Sequence, residues 1–154
     1  MAGIAVGTVA PDFTLPGVRG AEQGEYALSS LRGSKVVLAF YPGDFTPGCT
    51  RQLCGYRDDY ELLAPEGVVV WAISPQDVAS HEKFIAAKGF EFPLLSDTDL
   101  AVAQAYGVKA PVIGVRRAVF LLDANGVVQW QTVKLVGATW PKAEELAAAL
   151  AAFD

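Results

Sequence analysis

Three stretches of the chain are apolar at nearly every consecutive position: Lys35-Val36-Val37-Leu38-Ala39-Phe40-Tyr41, Val68-Val69-Val70-Trp71-Ala72-Ile73 and Ala118-Val119-Phe120-Leu121-Leu122-Asp123. A strand with one wet face alternates apolar and polar residues. Runs without that alternation predict strands buried on both faces. Between the runs the period changes. Cys49, Leu53, Tyr56, Tyr60 and Leu63 recur at spacings of 4, 3, 4 and 3, which predicts a helix with one inward face, stopped at Pro65-Glu66-Gly67. A second helix is predicted over 78–88, closed by Gly89 as a left-handed cap. A short strand over 93–95 and a short helix over 100–106 follow. After the third apolar run, Asn125-Gly126 predicts a hairpin turn into an extended segment over 127–136. The last helix is predicted over 141–152, with Leu146, Leu150 and Phe153 on one face. Residues 1–34 are rich in Gly, Pro and Ser and read as a loose hairpin (12–15 with 26–28) and a turn at Arg32-Gly33-Ser34. Buried strands alternating with helices predict an α/β fold. Its central sheet is mixed and flanked by helices, it carries an N-terminal hairpin extension, and 1–154 form one domain.

The junction between the first apolar run and the first helix concentrates the chemistry. Pro42 ends the strand because it has no N–H for the ladder. Thr46 reads as a helix N-cap and Pro47 as the first helical residue, so Cys49 falls in the first turn. There the positive end of the helix dipole and unpaired backbone N–H groups favour the thiolate, the nucleophilic form of the sulfur. As an N-cap, the Thr46 hydroxyl is expected to point to the N–H of Cys49. Cys54, the other cysteine, lies five residues on. Ideal helix geometry separates their Cα atoms by about 8.6 Å, beyond the ~6.8 Å at which disulfides ordinarily end. A bond between them demands partial unwinding. From the residues alone, Cys49 as a small buried hydrophobe and Cys54 as a spectator stay open. Gly43, Gly48 and Thr50 also match P-loop spacing, but Cys49 stands where that loop needs its lysine.

Composition narrows the function classes. Lys and Arg number 12 against 17 Asp and Glu, a net charge of −5, so no basic surplus exists to neutralise phosphates. No apolar run approaches the ~20 residues of a membrane helix. The first residues show neither a basic n-region nor an apolar h-region, so a cytoplasmic protein is expected. Two cysteines and one histidine are too few for a structural zinc site. In a reducing compartment a close cysteine pair is more often catalytic or redox-sensing than structural.

Pro42, Thr46 and Cys49 fall in a Pro-x-x-x-Thr-x-x-Cys pattern, and Tyr41-Pro42 with Thr46-Pro47-Gly48-Cys49-Thr50 and Cys54-Gly55-Tyr56-Arg57-Asp58 extends it. Pro11-Asp12-Phe13, His81-Glu82-Lys83-Phe84, Phe92-Pro93-Leu94-Leu95-Ser96-Asp97 and Arg117-Ala118-Val119-Phe120 follow in the same order. Together these resemble the peroxiredoxins, and within them the bacterioferritin-comigratory, or peroxiredoxin Q, branch. The resemblance implies a thioredoxin-like fold and a thiol-dependent peroxidase acting on hydrogen peroxide and organic hydroperoxides, with no cofactor and no metal. By position it implies Cys49 as the peroxidatic cysteine, Thr46 as a hydrogen-bonding partner of the peroxide and Pro42 as a shield over the sulfur. Arg117, preferred over Arg116 because it stands three residues before Phe120, would hold the thiolate and the reacting oxygens. Cys54 would resolve the sulfenic acid as an intramolecular disulfide, which a thioredoxin-like dithiol reduces. A monomer is expected over a dimer, with no nucleic acid or membrane partner. Gln52 departs from the Glu that many members of the branch carry. His81, far along the chain from Cys49, is given no catalytic role. The competing readings are a thiol–disulfide oxidoreductase, which would want Cys-x-x-Cys, and a non-enzymatic peroxide sensor on the same fold.

Overall fold

In the computed structural model, which describes residues 3–65, 67–134 and 139–154, the three apolar runs lie side by side at the centre of one sheet. They are β3 (Lys35–Phe40), β4 (Val68–Ser74) and β8 (Ala118–Leu122). β1 (Thr14–Arg19), β2 (Glu22–Ala27), β5 (Leu94–Ser96) and β9 (Val128–Val133) complete seven strands in the order β2-β1-β5-β4-β3-β8-β9. β3, β4 and β5 are mutually parallel, and every other pairing is antiparallel. The helices are α1 (Pro47–Asp58), α2 (Tyr60–Leu63), α3 (Val78–Lys88), α4 (Ala101–Ala105) and α5 (Ala143–Ala151). None is long and apolar enough to cross a membrane among the described residues.

The unbroken apolar runs have the cause expected for them: both faces of the sheet are covered. Val37, Ala39 and Tyr41 face a core shared with Leu53 of α1, Phe84 and Ile85 of α3, and Leu146 and Leu150 of α5. Val36, Leu38 and Phe40 point the other way, onto Val102 and Ala103 of α4, Tyr106 and Phe13. Successive side chains thus feed alternate cores, so neither set of positions can be polar. Lys35 turns its Nζ to the end of α5, donating to Leu150 O at 2.6 Å. A cation there satisfies carbonyls the helix leaves unpaired.

Several boundaries differ from expectation for identifiable reasons. The N-terminal hairpin is a full ladder from Thr14↔Ala27 to Arg19↔Glu22, joined to the sheet through β5. Gly17 and the charged face of β2 hid its period. α1 ends at Asp58 and restarts after Asp59, a one-residue break the apolar stripe does not show. The turn after β8 is closed by the Asp123 carboxylate, whose Oδ1 accepts from Asn125 N at 2.9 Å and Val127 N at 3.0 Å, with Gly126 at φ 79°. Residues 107–117, given no structure in advance, hold a small ribbon of β6 (Lys109–Ala110) and β7 (Gly114–Val115). Of the predicted extended segment over 127–136, Leu135 and Val136 lie outside the described residues, as does Glu66 of the predicted helix stop. α3 and its Gly89 cap (φ 71°, N–H to Ile85 O at 2.7 Å) fall where the pattern put them.

Candidate active site

The chain leaves the carboxyl end of β3 and turns through six residues into α1, at the carboxyl ends of the parallel strands, where crevices form. Tyr41 makes the last ladder bond of this path, donating its N–H to Ile73 O at 3.0 Å, and Pro42 then has none to give. Thr46 has the extended backbone of an N-cap (φ −74°, ψ 145°), and its carbonyl accepts from Thr50 N at 2.8 Å. Its side chain does not make the cap expected of it. The hydroxyl donates instead to Gly43 O at 2.9 Å, and no side chain caps the first turn of α1. The hydroxyl turns back along the loop to an acceptor three residues before it, a local bond typical of Thr. Its proton is thereby committed, and its lone pairs are left to accept.

Cys49 faces inward at 1% exposure, in the same core as Tyr41 and Leu53. Cys54 is half-buried against that core, and both thiols are free. α1 is continuous across both cysteines, so ideal helical geometry keeps their Cα atoms ~8.6 Å apart. Next to Cys54, Gly55 has ordinary helical φ, and a Cβ built there would meet nothing within 4 Å. No contact requires a glycine at this position.

Arg117 stands one residue before β8, buried at 7% exposure. Its Nη1 donates to Gln52 Oε1, one turn along α1 from Cys49. The amide of Gln52 donates to Tyr56 Oη at 3.3 Å, and the Tyr56 hydroxyl donates to Pro141 O at 2.7 Å. Burial pushes the Tyr56 phenol well above its ordinary value, so it stays a neutral donor. The Trp140 ring lies 5.5 Å from the guanidinium carbon, with the Lys142 ammonium 4.3 Å from the same ring. No carboxylate among the described residues is ion-paired with Arg117, and its Nε is buried with no hydrogen-bond partner. The cation is therefore oriented by a neutral amide and not by a carboxylate, with its buried Nε–H unused. Between the two arginines, it is Arg117 that is buried and tied to α1, while Arg116 is half-buried and donates its backbone N–H to Val108 O at 2.7 Å.

Pro42 is half-buried at the start of the loop. Its neighbourhood holds a cluster that sequence reasoning missed. Asp44 and His81 have no side-chain exposure and lie 2.7 Å apart, His81 Nδ1 to Asp44 Oδ2. Tyr41 Oη donates to Asp44 Oδ1 at 2.6 Å, and Ser80 Oγ donates to Asp44 Oδ2 at 2.8 Å. His81 Nε2 reaches the Leu95 carbonyl of β5 at 3.0 Å. The carboxylate beside Tyr41 and, above all, burial raise that phenol well above its ordinary value. A signal was available: His81, Phe84 and Ile85 share one inward face of α3, and a buried imidazole must find partners for both nitrogens. Between Asp44 and Thr46, Phe45 sits at φ 62°, a conformation costing a bulky residue about 1–3 kcal/mol. Its ring is half-exposed and lies 4.9 Å from that of Phe84 in α3.

A family model described as the AhpC/TSA family matches residues 6–131. The chain is 42% identical over 144 residues to the protein named peroxiredoxin bcp of Coxiella burnetii, covering 87% of this chain and 93% of that one. It is also 42% identical over 129 residues to the chloroplastic peroxiredoxin Q of Oryza sativa subsp. japonica, spanning 82% of this chain and 58% of the longer plant protein. Among solved structures, the peroxidoxin BcpB of Mycobacterium tuberculosis superposes with a TM-score of 0.83 at 30% identity, covering 100% of this chain and 99% of that one. AhpC of Enterococcus faecalis superposes at 0.88 with 23% identity, over 96% and 90% of the two chains, a likeness of fold.

Proposed function

The chain belongs to the AhpC/TSA family and is a peroxiredoxin, a thiol peroxidase; from that premise we propose that Cys49 is the attacking thiol and Cys54 the thiol that resolves it. The observation that carries this reading is the placement of Cys49 in the first turn of α1, one turn from Gln52, whose Oε1 holds the buried Arg117 guanidinium with its Nε unused. The Cys49 thiolate attacks one peroxide oxygen, the O–O bond breaks, and the other oxygen takes up a proton and leaves as water or an alcohol. Negative charge moves from sulfur to the departing oxygen. The guanidinium and the first-turn N–H groups are fixed donors that can follow it without reorganising. The Thr46 hydroxyl, its proton given to Gly43 O, offers a lone pair to the hydroxyl end of the peroxide. Pro42, half-buried and without an N–H, screens the sulfur from water.

The sulfenic acid of Cys49 is then attacked by the Cys54 thiol, forming the S–S bond and releasing the oxygen as water. Because the continuous helix α1 keeps the two Cα atoms beyond disulfide range, this step proceeds through local opening of the helix. Exchange with a thioredoxin-like dithiol returns both thiols. Stopped-flow consumption of hydrogen peroxide and of an organic hydroperoxide tests the reading. Reduced protein is expected to consume one equivalent alone and many equivalents with a dithiol reductant. Absence of any fast consumption would remove the peroxidase assignment of this site.

Gly55 supports the opening step. A glycine inside a helix costs about 1 kcal/mol relative to alanine, and here nothing crowds the missing Cβ. Gly55→Ala is expected to stabilise α1 and slow disulfide formation by roughly fivefold, while leaving the peroxide step unchanged. The rate of thiol loss after a single peroxide pulse reads this directly. An unaltered resolution rate in a measurably stabilised variant would contradict opening of α1 around Cys54.

A further inference from the structure

We propose that Asp44 and His81 are positioning residues for the peroxide step, holding the loop that presents Pro42 and Thr46 against α3 and β5 so that it keeps its shape while α1 opens. The inference rests on the assignment of Cys49 and Thr46 above and concerns residues that have no part in the bond-breaking chemistry.

Three groups converge on the Asp44 carboxylate: the Tyr41 hydroxyl, the Ser80 hydroxyl and the His81 ring. The far side of that ring is fastened to a main-chain carbonyl of the sheet, Leu95 O. A carbonyl can only accept, so Nε2 carries a proton. The second proton between ring and carboxylate lies on Nδ1 or on Asp44. Either way the cluster is neutral overall, which suits its complete burial, and each member has a partner. These anchors lie on α3, on β5 and on Tyr41, which follows β3 directly and is bonded to Ile73 O of β4, and none lies on α1. The loop is thus secured from the side that does not have to move. Phe45 supplies an independent sign that it is held. A phenylalanine at φ 62° persists where surrounding contacts over-determine it, and here they are the buried carboxylate before it and the Phe84 ring beneath it. Thr46, whose hydroxyl is aimed by Gly43 O, follows immediately. A tether that sets Asp44 therefore sets where that hydroxyl points.

The test compares two rates in the full-length reduced protein: the second-order rate of Cys49 with hydrogen peroxide, and its alkylation by iodoacetamide, read by peptide mass spectrometry. Alkylation needs a reactive sulfur, whereas the peroxide step also needs Thr46 and Arg117 placed to within about an ångström. Asp44→Ala is expected to slow the peroxide step by about 30- to 100-fold, with alkylation within about threefold of wild type. Asp44→Asn keeps an acceptor for Tyr41 and offers an amide N–H to Nδ1, so it should recover most of the loss. If Asp44→Ala does not fold, Ser80→Ala removes one donor from the same carboxylate and should slow the peroxide step alone by a few fold. A wild-type peroxide rate in the alanine variants would overturn the proposal. So would a parallel fall in both rates, or an asparagine variant as slow as alanine. A wild-type protein inert to peroxide would instead overturn the assignment of the site itself.

Discussion

Cys49→Ser is expected to reduce peroxide consumption to near the level of buffer, because the O–O bond is broken by sulfur and the other thiol, Cys54, lies five residues on, outside the first turn of α1. A serine hydroxyl is protonated at neutral pH and far less nucleophilic than a thiolate. Arg117, Thr46 and the first turn of α1 remain in place but have nothing to act upon. The substitution also sets a hydroxyl in a position of 1% exposure, with a destabilisation of about 1–3 kcal/mol if it finds no partner. The comparison is therefore made well below the midpoint of thermal unfolding, with native circular dichroism confirmed. Consumption at the wild-type rate would place the chemistry elsewhere in the molecule.

Arg117→Met should produce the next largest loss, about 10²- to 10³-fold in the second-order rate constant with hydrogen peroxide, the range for removing one preorganised donor from a developing anion. Methionine keeps much of the apolar stem, while the charge is lost together with the guanidinium that lies 5.5 Å from the Trp140 ring. Gln52, with no exposure, loses the partner of its Oε1. That costs about 1–3 kcal/mol of stability, and the loss appears in thermal unfolding separately from the rate. Lysine is no conservative replacement, since it lacks the planar fork that serves Gln52 with one nitrogen and keeps Nε for another partner. A rate within threefold of wild type would show that the guanidinium does not touch the reacting oxygens.

What was legible in the sequence follows from how local each cause is. The apolar runs at 35–41, 68–73 and 118–123 announce buried strands because both faces of each must be covered, and residue composition alone reports that. Thr46-Pro47 marks the helix start and Gly89 the end of another through backbone chemistry confined to a few residues. Asp59 is different. The apolar stripe continues through Tyr60 and Leu63 with unchanged spacing, so nothing in the period reveals that α1 breaks there. The ribbon at 109–115 is built from two-residue strands, too short for any period to register.

The candidate site divides along the same line. Cys49 and Thr46 are neighbours on one helix turn, and their placement follows from the cap. The direction of the Thr46 hydroxyl does not, because it depends on where the folded loop brings the carbonyl of Gly43, to which it donates. Arg117 and Gln52 are 65 residues apart, and Asp44 and His81 are 37 apart. Their meeting depends on the β3–β8 register and on how α3 lies across the sheet. Gln52, singled out in the sequence as a lost charge, proves to be the group that orients the arginine. His81, set aside as remote, lies against the loop beside Cys49.

Cys49 and Cys54, held apart in α1, are expected to be joined by opening of that helix during turnover. The direct measurement treats reduced protein with one equivalent of hydrogen peroxide and follows intact mass, tryptic peptides and far-ultraviolet circular dichroism. Expected are loss of two hydrogens from the monomer mass, a disulfide linking Cys49 to Cys54, and a decrease in helical signal that dithiol reverses. Gain of oxygen at Cys49 with Cys54 still a free thiol, or disulfides found only between chains, would contradict it.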